Sequence, residues 1–303
     1  MRVAIFQTRP ELMNLEANLE EVIEKIHRGR EGGARLCLFP ELALTGYFVG
    51  PRYHEVALKI DSPQVRRLAE ATRGTAAVVG FIEESPNMNF YNSALVAVDG
   101  QVLFTCRKLN LPNYGVFEEG KIFSPGRQVP VFKIDELTLA VFICNDLWHP
   151  SLPYLAVSQE ADVLIGVINS SEEALGKEFS NIESWEIINK FYARVFGVYG
   201  IMVNRVGVET CSGSSHVPGQ AGEPDKPQRF DCHFWGGSEM VDPFGRIIAK
   251  AAHYENDQIF GYIEKNLLRR KKIALPYLRE DDPFFTHRQL ENILFGPKVG
   301  PGN

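Results

Sequence analysis

Short apolar runs, each closed by a proline, a glycine or a polar residue and separated by amphipathic stretches of helical length, leave this chain few folds to choose from. Leu36 to Phe39 has no polar side chain and stops at Pro40, so it reads as a central strand. Val163 to Ile168 reads as another buried strand, and Val3 to Gln7, Ala76 to Glu83, Leu137 to Cys144 and Gly200 to Arg205 as further strands. Between them, Asn14 to Gly32 sets Leu15, Leu19, Val22, Ile23 and Ile26 three or four residues apart, with Asn14 placed to cap the start and Gly32 or Gly33 to stop the end. Pro63 to Thr72 behind the cap Ser62, Leu152 to Gln159, and Asn181 to Phe196 complete the helices. Two hairpin signals stand apart: Asn92 to Val98 and Val102 to Arg107 around Asp99-Gly100, and Ser238 to Val241 and Arg246 to Ala251 around Asp242-Pro243-Phe244-Gly245. Interleaved strands and helices with two hairpins predict an α/β fold with mixed rather than purely parallel sheets.

No linker divides the chain, which predicts one domain over residues 1–273 and a proline-containing tail over 274–303. The tail carries one short helix near Arg288 to Leu294, and either packs on a partner subunit or frays. Residues 207–236 read as a long loop, whose stretch Cys211 to Trp235 is expected to cover a pocket mouth or a subunit contact. A formal net charge of -6 argues against a nucleic-acid surface or a polybasic membrane footprint, leaving a small molecule as the expected partner. Without an apolar stretch of about 18 residues or a leader ahead of Val3, the chain is expected to be cytoplasmic. Five scattered cysteines, Cys37, Cys106, Cys144, Cys211 and Cys232, suit neither a disulfide framework nor a zinc knuckle. His149, His216 and His233 lack metal-site spacing, so no metal and no cofactor is expected.

Polar groups at the ends of apolar strands mark three places where chemistry could sit. Glu41 follows the run ending at Phe39-Pro40, where lost solvation raises a carboxylate's pKa; its bland reading is an ion pair or helix start. Lys108 closes a hairpin strand ahead of a loop broken by Pro112 and Gly115, and could aim a fixed cation inward or simply be solvated. Cys144 ends Val141-Phe142-Ile143 at a strand-to-helix turn, as either a nucleophile facing a pocket or inert core filler.

The conjunction carries more than any single residue. Pro40-Glu41, Lys108-x-x-Leu111-Pro112 and Ile143-Cys144-Asn145-Asp146, in this order, resemble the Glu-Lys-Cys triad of the nitrilase superfamily, the carbon-nitrogen hydrolases. The resemblance runs on through Thr45-Gly46-Tyr47, Tyr91-Asn92-Ser93-Ala94, Phe123-Ser124-Pro125-Gly126, Asn204-Arg205-Val206-Gly207 and Gly236-Gly237-Ser238, covering residues 1–265. It implies a four-layer α-β-β-α sandwich, assembled as a homodimer or higher homo-oligomer. It implies Cys144 as nucleophile, Glu41 as proton acceptor and donor, and Lys108 with the backbone N–H of Asn145 as oxyanion stabiliser. A second glutamate is implied after the lysine; the spacing to Phe123 and Pro125 fits Glu119, with Glu118 the adjacent candidate. Tyr47, Tyr114, Asn145, Trp148 and Asn169 are the expected substrate-binding residues.

Leu109 to Gly126 and Asp146-Leu147-Trp148 look most like the glutaminase domain of glutamine-dependent NAD synthetases. Two departures count against free glutamine. Asn145 stands where those domains carry an acid for the α-amino group, and Asn169-Ser170-Ser171-Glu172 with Gly176-Lys177-Glu178 replaces their carboxylate-binding segment, with Glu178 repelling an α-carboxylate. Asn145-Asp146 also departs from the Trp-Glu of true nitrilases, and Leu147-Trp148 replaces the arginine pair of N-carbamoyl-D-amino-acid hydrolases with an apolar wall. The expected activity is an amidase or N-carbamoyl amidohydrolase acting on a small linear, uncharged amide and water. The alternatives are an ammonia-supplying subunit of a separate synthetase and a catalytically silent binding homologue.

Overall fold

The computed structural model describes residues 1–175, 180–213 and 228–296. Its first half runs β1 (Arg2–Gln7), α1 (Leu15–Glu31), β2 (Leu36–Leu38), α2 (Pro63–Ala71), β3 (Ala76–Glu84), β4 (Phe90–Val98) and β5 (Gln101–Arg107). The second half runs β6 (Val131–Ile134), β7 (Leu137–Ile143), α3 (Ser151–Val157), β8 (Val163–Val167), α4 (Asn181–Phe196) and β9 (Tyr199–Val203). There follow β10 (Val206–Gly213), β11 (Gln228–Trp235), β12 (Glu239–Val241), β13 (Ile247–Lys250), β14 (Asp257–Tyr262), α5 (Lys265–Ala274), α6 (Tyr277–Glu280) and α7 (Pro283–Phe295).

Two six-stranded sheets form, ordered β14-β1-β2-β3-β4-β5 and β13-β12-β9-β8-β7-β6. Each is mixed as expected: β1, β2 and β3 are parallel, as are β7, β8 and β9, while the hairpins β3–β4–β5, β6–β7 and β12–β13 and the distant pairings of β14 with β1 and β12 with β9 add antiparallel strands at the margins. Strand alternation divides the cores. Val3, Ile5, Leu36, Leu38 and Val78 face the second sheet in one continuous apolar cluster with Leu139, Val141 and Ile165. Ala4, Phe6, Cys37, Phe39 and Val79 face outward onto Leu19, Val22 and Ile26 of α1 and Leu68 of α2. Trp185, Tyr192 and Phe196 of α4 cover the second sheet, completing a four-layer α-β-β-α sandwich.

Asn14 accepts from Ala17 N–H at the start of α1, and Ser62 accepts from Val65 N–H ahead of α2, the caps read from the sequence. Two expectations fail. The stretch 207–236 is not simply a loop, because β10 and β11 pair as a two-stranded antiparallel ribbon, with 214–227 outside the described residues. The helix expected near Arg288 to Leu294 is the 13-residue α7, which begins earlier, where Asp282 accepts from Phe285 N–H and Pro283 takes the first turn. Residues of the tail also pack back: the Tyr277 ring lies tilted against Phe196, and Tyr154 O–H donates to Asp281 at 2.6 Å. No helix among the described residues is long and apolar enough to cross a membrane.

Candidate active site

The carboxyl ends of β2, β5 and β7 meet at one place between the sheets. After β2 the chain stays beside β3 through Phe39 N–H, which donates to Val78 O, and then turns across Gly80. A Cβ on Gly80 would lie 2.3 Å from Leu42 N and 2.4 Å from Pro40 O, so only glycine lets the segment carrying Glu41 pass this close. Glu41 is fully buried there. Lys108, one residue past β5, is fixed through its backbone: its N–H donates to Asn92 O and its carbonyl accepts from Gly126 N–H.

The Lys108 ammonium donates to Glu41 Oε1 at 2.7 Å and to Glu119 Oε1 at 2.6 Å. Asn92 Nδ2 also donates to Glu41 Oε1, at 2.7 Å, and reaches Glu119 Oε2 at 3.4 Å. Glu41 Oε2 accepts no hydrogen bond from the described residues, which leaves the carboxylate one spare acceptor. Glu119 is buried and takes a further hydrogen bond from Tyr47 O–H, whereas Glu118 points outward and pairs with Lys121. Burial works against the Lys108 cation, yet the Glu119 and Glu41 carboxylates outweigh it and hold its pKa well above the usual lysine value. Burial raises Glu119, with Lys108 opposing and Glu41 adding to the rise.

Cys144 follows β7 and opens the short helical turn Cys144–Trp148 with φ of 44°, a left-handed conformation unusual for a side chain of this size. Burial pushes its thiol well above the ordinary value, the Glu41 carboxylate pushes the same way, and Lys108 opposes both. A thiol held this way could act as a nucleophile only where a neighbouring group accepts its proton.

Cys144 and Lys108 line a cavity of about 20 Å³, near the minimum that holds one water. Its walls are the aromatic rings of Tyr114, Phe117, Trp148 and Trp185 and the neutral polar groups of Asn145, Ser170 and Asn181. Tyr114 is half-exposed, and its O–H donates to Asn145 Oδ1 at 2.8 Å, joining two of the wall residues. Trp148 meets Trp185 edge to face. Tyr47 does not line this cavity; it backs Glu119 and faces a separate cavity of about 400 Å³. Asn169 is not among the wall residues either; its Nδ2 donates to the Glu41 carbonyl at 3.2 Å.

Several contributors stand outside the site residues expected from the sequence. Asp146 is buried and accepts from the backbone N–H groups of Leu109 at 3.0 Å, Asn110 at 2.8 Å and Ile143 at 3.2 Å, tying the segment after Lys108 to the turn of Cys144. Glu209 on β10 accepts from Tyr47 N–H and Phe48 N–H and pairs with buried Arg205. Asn181 and Trp185 reach the cavity from α4, their polar groups donating to Ser171 O and Ser170 Oγ. His216, and the segment from Gly176 through Lys177 to Glu178, lie outside the described residues.

With this geometry in hand, comparison decides the lineage: the family model for carbon-nitrogen hydrolases matches residues 2–272. The chain belongs to the carbon-nitrogen hydrolase family. Among relatives of this carbon-nitrogen hydrolase, a glutamine-dependent NAD(+) synthetase of Thermotoga maritima is 35% identical over 181 residues, 58% of this chain and 31% of the relative. The chain thus spans about a third of that protein's length. An omega-amidase of Xenopus laevis is 25% identical over 91% of this chain and 93% of its own. The fold is shared with a carbon-nitrogen hydrolase from Helicobacter pylori, at a TM-score of 0.77 and 21% identity over 96% of this chain and 98% of that one.

Proposed function

We propose that this carbon-nitrogen hydrolase cleaves the C–N bond of a small, uncharged linear amide or N-carbamoyl compound through an acyl-enzyme on Cys144, releasing ammonia. The observation that carries this reading is the buried Lys108 ammonium held between Glu41 and Glu119 on the wall of a cavity it shares with Cys144. The thiol proton passes to the spare oxygen of Glu41 as sulfur bonds to the carbonyl carbon. The resulting oxyanion is stabilised by the Lys108 ammonium and the Asn145 N–H. As the tetrahedral adduct collapses, the C–N bond breaks and Glu41 returns the proton to the departing nitrogen. Water then attacks the thioester, giving a proton to Glu41, and the acid leaves as the thiol re-forms. Glu119 fixes the lysine throughout.

The wall supports an uncharged substrate. Apart from Lys108, its described side chains offer no cation for an α-carboxylate and no anion for an α-ammonium group. The smallness of the cavity favours a short acyl group unless Tyr114 swings out. The test is ammonia release from aliphatic amides, ω-amides, N-carbamoyl amines and glutamine, paired with intact-protein mass spectrometry. Turnover of a short neutral amide with an adduct confined to Cys144 is expected; no adduct with any of them would leave a binding homologue.

A second reading rests on the relatives that carry a synthetase portion. The chain would then supply ammonia from glutamine to a separate synthetase, as the similarity to glutamine-dependent NAD(+) synthetases suggests. Glutamine turnover that rises only when such a partner is added would favour it.

A further inference from the structure

We propose that Cys211 and Cys232 are a paired oxidation site, at which a small hydroperoxide closes a reversible disulfide across the β10–β11 ribbon. The two side chains lie on the buried face of adjacent strands, Cys211 opposite Phe230 in register and Cys232 opposite Glu209. That offset makes them diagonal neighbours on one face, and their sulfurs approach to 3.0 Å. A disulfide needs about 2.05 Å, so side-chain rotation on a twisted two-stranded ribbon must supply about 1 Å. The thiols of Cys37 and Cys106 instead turn toward backbone carbonyls, Ile26 O and Val141 O, on separate strands. Cys144 is engaged in the active site.

The pair is also chemically asymmetric. Either sulfur can donate in the contact between them, and that shared hydrogen bond lowers the Cys211 thiol below the ordinary cysteine value, whereas burial pushes Cys37 up to about 12. We assign the first attack to Cys211, and exchange of the two roles would leave the same disulfide. The Cys211 thiolate displaces water from hydrogen peroxide to give a sulfenic acid; the Cys232 sulfur then displaces the sulfenic oxygen as a second water. The balance is two thiols and one peroxide to one disulfide and two waters, with the sulfurs oxidised and the peroxide oxygens reduced. Burial favours a peroxide over a bulky disulfide oxidant.

The bond would fasten the strand that bears Glu209, which lies two residues before Cys211 and anchors the backbone of Tyr47 and Phe48. It does not depend on what Cys144 hydrolyses. The whole chain is treated with a small excess of hydrogen peroxide, quenched with catalase, alkylated under denaturing conditions and digested without reduction. The expected result is one linked peptide pair joining Cys211 to Cys232, with the loss of two hydrogen masses, dissolved by a dithiol reductant and accompanied by a higher thermal midpoint. In Cys232→Ser the reaction should halt at a sulfenic acid on Cys211 that dimedone traps. Full alkylation of both cysteines after treatment, or linkage of either to another cysteine, would overturn the proposal.

Discussion

Glu41 presents its two oxygens to different tasks, and a single atom separates them. Oε1 is saturated by Lys108 and Asn92, while Oε2 accepts nothing from the described residues. Glu41→Gln can keep the amide oxygen against both donors and replace only the spare acceptor with an N–H₂. The variant should therefore melt close to the parent while turnover falls by about 10²–10⁴, the usual contribution of a positioned general base. Near-parental ammonia release would remove Glu41 from the proton path. Lys108 behaves differently, since it is the cation for two buried carboxylates. Lys108→Met leaves both unpaired and should cost about 3–5 kcal/mol of stability, read from denaturant midpoints. These residues are legible in sequence because each follows an apolar strand, where a polar group is conspicuous. Glu119 is legible only by its spacing to Phe123 and Pro125, and its burial beside exposed Glu118 is a property of the turn at Glu119–Lys121. Asn92 hides inside a strand, where an asparagine gives no sign that it bridges two carboxylates.

At the scale of elements, the ends of β5 and β7 stay in register with one another through Asp146. Burial raises its carboxyl to about 6, against the opposing backbone N–H bonds from Asn110, Ile143 and Leu109 and the Lys108 cation. The sign follows from which state binds the proton. The folded pKa lies above the unfolded one, so the native state holds more protons between them, and the contribution of Asp146 to stability declines as pH rises from about 4 to about 6. The clamp works in the opposite sense, because protonation puts an O–H among three N–H donors. Turnover should therefore fall as pH drops through about 6, while the fold does not loosen on account of this group. Asp146→Asn should lose activity at neutral pH and flatten that acid limb, and an unchanged limb would assign it elsewhere. The same scale explains what the sequence conceals. The β10–β11 ribbon has a period-two pattern, but its inward positions are Glu209, Cys211, Cys232 and Phe234, and the outward ones Val208, Thr210, Asp231 and His233. A carboxylate and two thiols stand where branched aliphatics normally mark a strand, so the alternation has no hydropathy contrast. The ion pair with Arg205 is what makes an inward Glu209 tolerable, and a pairing partner from β9's end is invisible until the chain is folded.

For the molecule as a whole, the outer surface poses a problem that the two cores do not solve. Phe284, Phe285, Leu290, Ile293, Leu294 and Phe295 of α7 are all at least half-exposed, and Ile187 and Phe191 of α4 are likewise open to solvent. Scattered apolar side chains need no explanation, but this many on one 13-residue helix exceeds what an isolated chain normally shows. The helix is nonetheless well specified, with Asp282 as its cap, Pro283 in its first turn and Gly296 past its end. A segment with defined ends and apolar side chains left open around most of its circumference is incompletely packed by its own chain, and we propose that a second copy of this chain covers part of it, the oligomer that the family resemblance implies. Burying four of these side chains would contribute roughly 1.5–3 kcal/mol each before the cost of association is set against it. The chain should sediment as a dimer or larger at micromolar concentration, and Phe285→Asp with Ile293→Glu should shift it to a monomer without changing its helical content. A parent chain that stays monomeric across that range would show that α7 serves another surface. Glu41, Lys108, Glu119 and Cys144 all come from one chain, so monomeric variants should keep a measurable part of their amide turnover.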